Sequence, residues 1–169
     1  MNGLPAFNYS VPVSEPRWLD ADQQQVWRTW LTAQLLLAEV FEHDLKATSG
    51  LSMAEYEVLV RLSEAPGRRL RMSELAARTL ASRSRLSHQV ARMEEEGLVR
   101  REECVTDKRG WWAVLTDHGW EVLVAAAPHH VESVRRHLVD VFDEGEFDEL
   151  GHLLDKVVER LQPDGSRRI

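Results

Sequence analysis

The sequence predicts a mainly helical fold with one small β-hairpin, and three observations carry that reading. Apolar residues recur at helical spacing in long segments towards both ends of the 169-residue chain. Between those segments, short helical stretches follow one another with a cap or a breaker at each join. Two short runs, Leu98–Cys104 and Trp111–Leu115, then flank a turn made of Thr106, Asp107, Lys108, Arg109 and Gly110.

The elements follow in order. Residues 1–19 carry Pro5, Pro12 and Pro16 without a periodic pattern and read as an extended arm. A first helix covers residues 20–50, with Val26, Trp27, Trp30, Leu31, Leu35, Ala38, Phe41 and Leu45 at helical spacing and Gly50 as its stop. It is apolar around more than half its girth, which predicts burial both against its own core and against a partner. Ser52 and Glu55 form a capping box for a second helix, which Pro66-Gly67 ends. A short helix runs from Met72 or Ser73 to Leu80. Ser82 caps the next, which buries Leu86, Val90 and Met93 and closes at Gly97. Helix, short helix, helix and hairpin is the order of a winged helix-turn-helix, here over residues 51–116.

Residues 117–162 predict two further helices. Thr116 is placed to cap the first, and Asp117 favours its positive end. Trp120, Val124, Ala127, Val131, Val134, Leu138 and Val141 then repeat at alternating steps of four and three. That is the seam of a helix lying along another helix, continued in phase across Pro128 as one bent helix. Asp143 to Glu146 offer another capping box, and Phe147, Leu150, Leu154, Val157 and Leu161 form a second seam. Residues 163–169 read as a flexible tail. Three apolar helices exceed what the small central lobe needs, so the end helices are expected to pair with those of a second chain. Val124, Val131, Val134, Leu138, Leu154 and Leu161 are the candidate dimer seam.

The net charge of −7 is unevenly spread. Residues 68–109 hold eleven basic and seven acidic side chains, a net +4, which leaves −11 on the remainder. A basic middle between acidic flanks suits a local polyanion site. On the capped helix, Ser84, His88 and Arg92 lie opposite the apolar face, with Arg85 and Ser87 beside them and Arg83 nearer the core side. The N-terminal half of a recognition helix meets base edges in the major groove, where Arg grips guanine and Ser or His bond bases or phosphates. Arg109 and Lys108 project from the hairpin turn, and Arg at a wing tip suits a narrow minor groove. Asp107 would pair with a nearby Arg and fix that loop. A winged helix used only for protein contact would instead carry apolar anchors on this face.

These residues make the stretch from Leu51 to Thr116 resemble the MarR family of bacterial regulators. Ser73-Glu74-Leu75-Ala76, Ser82 to Ser87, and Glu96-Gly97-Leu98-Val99 match its helix-turn-helix. The most specific match is the wing segment DKRGWWAVLT, Asp107 to Thr116. The resemblance implies a homodimer with intertwined first, fifth and sixth helices, whose two winged lobes read a pseudo-palindrome in double-stranded DNA. It further implies minor-groove insertion of Arg109, and major-groove and phosphate contacts from Ser84, Arg85, Ser87, His88 and Arg92. Members typically repress transcription and release DNA when a small, often aromatic or anionic, effector binds. Trp30, Tyr56, Trp111 and Trp120, with Trp27 and Trp112, are the candidates to line such a pocket.

Other chemistries find little support. One cysteine excludes an intrachain disulfide and points to a reducing, cytoplasmic compartment. Cys104 lies between Glu102-Glu103 and the turn, a poor setting for a reactive thiolate. His129 and His130 are adjacent, so on a helix their side chains diverge and no metal site is expected. The first basic residue is Arg17, so no secretory signal is expected, and no apolar run suits a membrane span. No phosphate-binding glycine loop or catalytic triad stands out, so neither an enzyme nor a cofactor is expected.

Overall fold

The computed structural model describes residues 16–104 and 110–161. The fold is mainly α, with one three-stranded antiparallel sheet. Helix α1 spans Ala21–Ser49 and ends at Gly50, whose φ of +75° carries the chain into a turn that side chains disfavour. By backbone contacts the chain divides between Glu39 and Val40. On the N-terminal unit, Val26, Trp27, Leu35 and Leu36 are all more than half exposed.

Helix α2, Met53–Glu64, begins at the expected capping box. The Ser52 hydroxyl accepts from the Glu55 N–H, and the Glu55 carboxylate accepts from the Ser52 N–H at 2.9 Å. After a 3-10 turn at Pro66–Arg68 come strand β1, Arg69–Arg71, and helix α3, Met72–Arg78. Ser82 caps helix α4, Arg83–Glu95, by accepting from the Arg85 N–H. Strands β2, Val99–Glu103, and β3, Trp111–Leu115, pair antiparallel. Strand β1 adds to the free edge of β3, giving the order β1-β3-β2. This third strand is absent from the sequence reading. Its three residues, Arg-Leu-Arg, are too few to show alternation, and only pairing with β3 extends them.

The core sits where α2, α3 and α4 close over the inner face of the sheet. Leu59, Leu62, Leu75, Leu86, Val90, Met93 and Ala113 are fully enclosed there. Removing a large side chain from such a core typically costs about 2–5 kcal/mol.

Helix α5, Asp117–His137, starts where Thr116 caps the Gly119 N–H at 2.9 Å. The same hydroxyl donates to the Gly97 and Leu98 carbonyls, tying the helix start to the α4–β2 turn. The helix crosses Pro128 without interruption, but it ends at His137 and Val139–Val141 form a 3-10 turn. The last two seam positions, Leu138 and Val141, therefore leave the α-helix, a correction to the longer helix expected from the repeat. The Leu138 N–H still reaches the Val134 carbonyl, but its own backbone then turns away, and Arg135 bridges the turn to Asp140 at 2.5 Å. Periodicity alone does not register such a stop, because the apolar spacing continues through it.

The buried face of α5 comprises Gly119, Leu123, Ala126 and Ser133. The seam lies on other faces, with Val124 and Val131 about half exposed and Val134 and Leu138 intermediate. Helix α6, Glu146–Leu161, buries no residue at all, although Phe147, Leu153, Val157 and Leu161 are apolar. Half of its expected capping box is present, with the Asp143 N–H on the Glu146 carboxylate.

His130 of α5 packs its ring 4.6 Å from Tyr56 and 6.0 Å from Phe41, and its Nδ1 is buried without a hydrogen-bond partner. Burial lowers its pKa below the ordinary 6.5, so the fold carries it neutral. The unfolded chain binds that proton more readily, so stability is complete above pH 6.5 and declines as the pH falls through the lowered value. Urea titrations between pH 5 and 7.5 should show this decline, and His130→Leu should flatten it. An unchanged slope in the variant would assign the effect to other groups.

Candidate nucleic-acid interface

Helix α4 presents two opposed faces. Leu86, Val90 and Met93 are wholly enclosed, while Arg83, Ser84, Arg85, Ser87 and His88 are exposed. Among the described residues, none of these five side chains makes a hydrogen bond or ion pair, and the Arg85 backbone N–H is engaged by Ser82. The capping hydroxyl of Ser82 holds the N-terminal turn in place, so the exposed face stands on a rigid support.

Two clefts flank this helix. One, of about 440 Å³, is lined by Arg71, Met72, Ser73, Arg83, Ser87 and Arg101, closing on Gly110 and Trp111 of the wing. The other, of about 630 Å³, brings Lys46 of α1 and Ser52 of α2 to Arg85, His88 and Arg92. Lys46, Arg71 and Arg101 are basic groups that the sequence reading did not attach to this surface. They come from separate segments, and only the fold gathers them around α4.

Two acidic residues tie the helix down. Glu94 accepts from the Arg101 N–H at 2.8 Å and from its Nε at 2.7 Å, clamping the last turn of α4 to β2. The Arg101 backbone bond, then its side-chain bond and charge, hold the Glu94 carboxyl below the usual range. The acidic triplet Glu94-Glu95-Glu96 thus has one member engaged in positioning the wing. Glu55, nearly buried, pairs with Arg92. Arg92 is exposed as expected and lines a cleft with Arg85 and His88, and its guanidinium is paired with Glu55 of α2.

Among the candidate effector residues, Tyr56, Trp111 and Trp120 have different surroundings. Tyr56 is buried against His130, Trp111 borders the wing cleft, and Trp120 lies beneath Arg68 at 4.2 Å. Trp30 belongs to the N-terminal unit and is about a third exposed. Trp112 is flanked by Arg69 and Arg71 at 5.0 and 5.2 Å. Of these residues Trp111 lines the wing cleft, and neither cleft beside α4 is lined by Tyr56 or Trp120. Aromatic identity alone does not distinguish a ligand wall from a ring that packs a helix or supports an arginine.

Asp107, Lys108 and Arg109 lie outside the described residues, as do the first fifteen residues of the arm and the tail from 162. Cys104 is buried. No group of three or more metal-ligating side chains occurs among the described residues, and no described helix is long and apolar enough to cross a membrane.

Comparison with known proteins agrees with this architecture. The profile of the MarR family matches residues 49–110. Transcriptional regulator HosA of Escherichia coli is 34% identical over 88 residues, which are 52% of this chain and 62% of HosA. The chain thus aligns with somewhat under two thirds of that relative. Sco3205 of Streptomyces coelicolor, a MarR family transcriptional regulator solved in complex with DNA, is 46% identical with a TM-score of 0.85. That match covers 91% of this chain and 96% of Sco3205. AbsC, a MarR family regulator of the same organism, is 49% identical with a TM-score of 0.82, over 88% of this chain and 99% of its own. With near-complete coverage at this identity, the chain belongs to the MarR family of transcriptional regulators.

Proposed function

We propose that the chain acts as a homodimer that binds double-stranded DNA sequence-specifically and represses transcription from a pseudo-palindromic operator. One observation carries the reading. The N-terminal half of α4 offers Arg83, Ser84, Arg85, Ser87 and His88 to solvent, while its opposite face is locked in the core. These side chains bond base edges and phosphates, and none is an apolar anchor for a protein partner. The DNA complex of the similar Sco3205 supports the same reading. The exposed apolar faces of α1, α5 and α6 support the dimer, and the repressor sense follows the family. Release by a small aromatic or anionic effector belongs to this reading, since arginines in both clefts beside α4 would receive an anion.

Selection of bound sequences from a random DNA pool tests it. The expected outcome is an inverted repeat whose half-sites lie about one helical turn, roughly 10 base pairs, apart. A pool that stays random would leave a winged helix devoted to protein contact. On the selected operator, Arg109→Ala should weaken binding at least about tenfold with the dimer intact, as expected for a minor-groove arginine. Unchanged affinity in a gel-shift titration would remove Arg109 from the interface.

A further inference from the structure

We propose that Glu55 is a positioning residue of the recognition helix α4, acting through Arg92. The inference rests on the DNA-binding reading and adds a residue that need not touch DNA. The Glu55 side chain is only 5% exposed, whereas that of Arg92 is 64% exposed. One carboxylate oxygen accepts from the Ser52 N–H at 2.9 Å and from the Ser52 hydroxyl at 2.8 Å. The other receives Nη2 of Arg92, from 37 residues further along the chain. Burial works against the charge of Glu55, but the Ser52 bonds and Arg92 outweigh it and hold the carboxyl below its ordinary range. A carboxylate at this depth is tolerated only because each oxygen is bonded.

The apolar face of α4 holds the helix onto the core, and directional polar bonds add a further restraint on its rotation. Two polar ties supply that restraint near its C-terminal end. Arg92 joins it to α2, and Glu94 joins it to Arg101 of β2. The α2 end of the first tie is itself anchored, since the Met53 N–H donates to Glu42 of α1 at 2.8 Å. Base readout from Ser84, Arg85 and His88 needs their carrier helix held within about 10–20°. The rigid, planar guanidinium is suited to such a directional restraint. The charge of Arg92 is therefore neutralised inside the protein, and its part in DNA binding is alignment of the reading face.

The test uses the full chain, the selected operator, and binding titrations over a range of salt concentrations. Glu55→Gln preserves the capping box, because Gln serves at that position, but removes the charge that holds Arg92. Arg92→Met and Glu55→Gln should each weaken operator binding about tenfold, and the double variant should be no weaker than either alone. The slope of log affinity against log salt, and the affinity for random DNA, should match the parent protein. A slope shallower by about 0.9 per protomer in Arg92→Met, with Glu55→Gln binding normally, would make Arg92 a phosphate contact and overturn the proposal. Where Glu55→Gln melts too low for assay, the slope of Arg92→Met alone decides. A parent protein that selects no sequence would refute the DNA-binding reading itself, before either variant is compared.

Discussion

Val131→Asp is expected to yield a monomer and to lower operator affinity more than about a hundredfold. Val131 is 54% exposed on α5 and belongs to the repeating seam, so the change places a charge on a surface that the chain alone leaves uncovered. Substitution at an exposed site usually alters the stability of a lone chain by less than about 0.5 kcal/mol. In a dimer the same carboxylate would be taken out of water beside apolar neighbours, which costs several kcal/mol without a partner. Loss of the dimer removes the second reading head, and linkage of two heads is worth about 10²–10⁴ in affinity. Sedimentation velocity and an operator titration measure the two effects. A variant that sediments as a dimer would show that the α5 seam is not the contact.

Gly119→Ala should produce the largest loss of stability, at least about 3 kcal/mol. Gly119 sits in the first turn of α5, where a Cβ would overlap the Leu98 carbonyl oxygen and stand 2.9 Å from Cδ1 of Leu115. The obstacle is backbone at the start of the wing sheet, so no rotamer change relieves it. The turn is pinned from the other side by Thr116, which bonds Gly97, Leu98 and Gly119 together. Gly151→Ala is the internal control. It lies in α6 with nothing within 4 Å of the added carbon, so it should stabilise by about 0.5–1 kcal/mol through helix propensity alone. Urea denaturation of both variants measures the contrast. Near-parental stability in Gly119→Ala would contradict the close approach of α5 to Leu98.

The order of elements was legible because its signals are local. Ser52, Ser82 and Thr116 each cap a helix by accepting from the N–H three residues on, and Gly50 and Gly97 end helices in the left-handed conformation that suits them. The exposed face of α4 was legible for the same reason. Helical geometry sets Ser84 and His88 opposite Leu86 and Val90 once the helix and one buried residue are known. The apolar seams of α5 and α6 could be read as faces, but not where the helix stops, since Leu138 and Val141 keep the spacing after α5 has ended.

Tertiary structure decided what depends on distant segments. Strand β1 exists because β3 offers it an edge, and nothing in Arg69-Leu70-Arg71 announces that partner. Arg92 looked like one more cation on the reading face until Glu55 met it from α2. Glu94 is one of three consecutive carboxylates in the sequence, and only the fold brings it the backbone and side-chain donors of Arg101. Tyr56, Trp111 and Trp120 are alike as aromatic residues in the sequence, and only the fold gives each its own surroundings. The sequence by itself determined helices, caps, faces and the basic segment, because these follow from periodicity over a few residues. Which charges are bound within the protein and which stay open to a partner was decided by packing, because an ion pair needs both groups within a few ångströms, and only the folded chain brings them there.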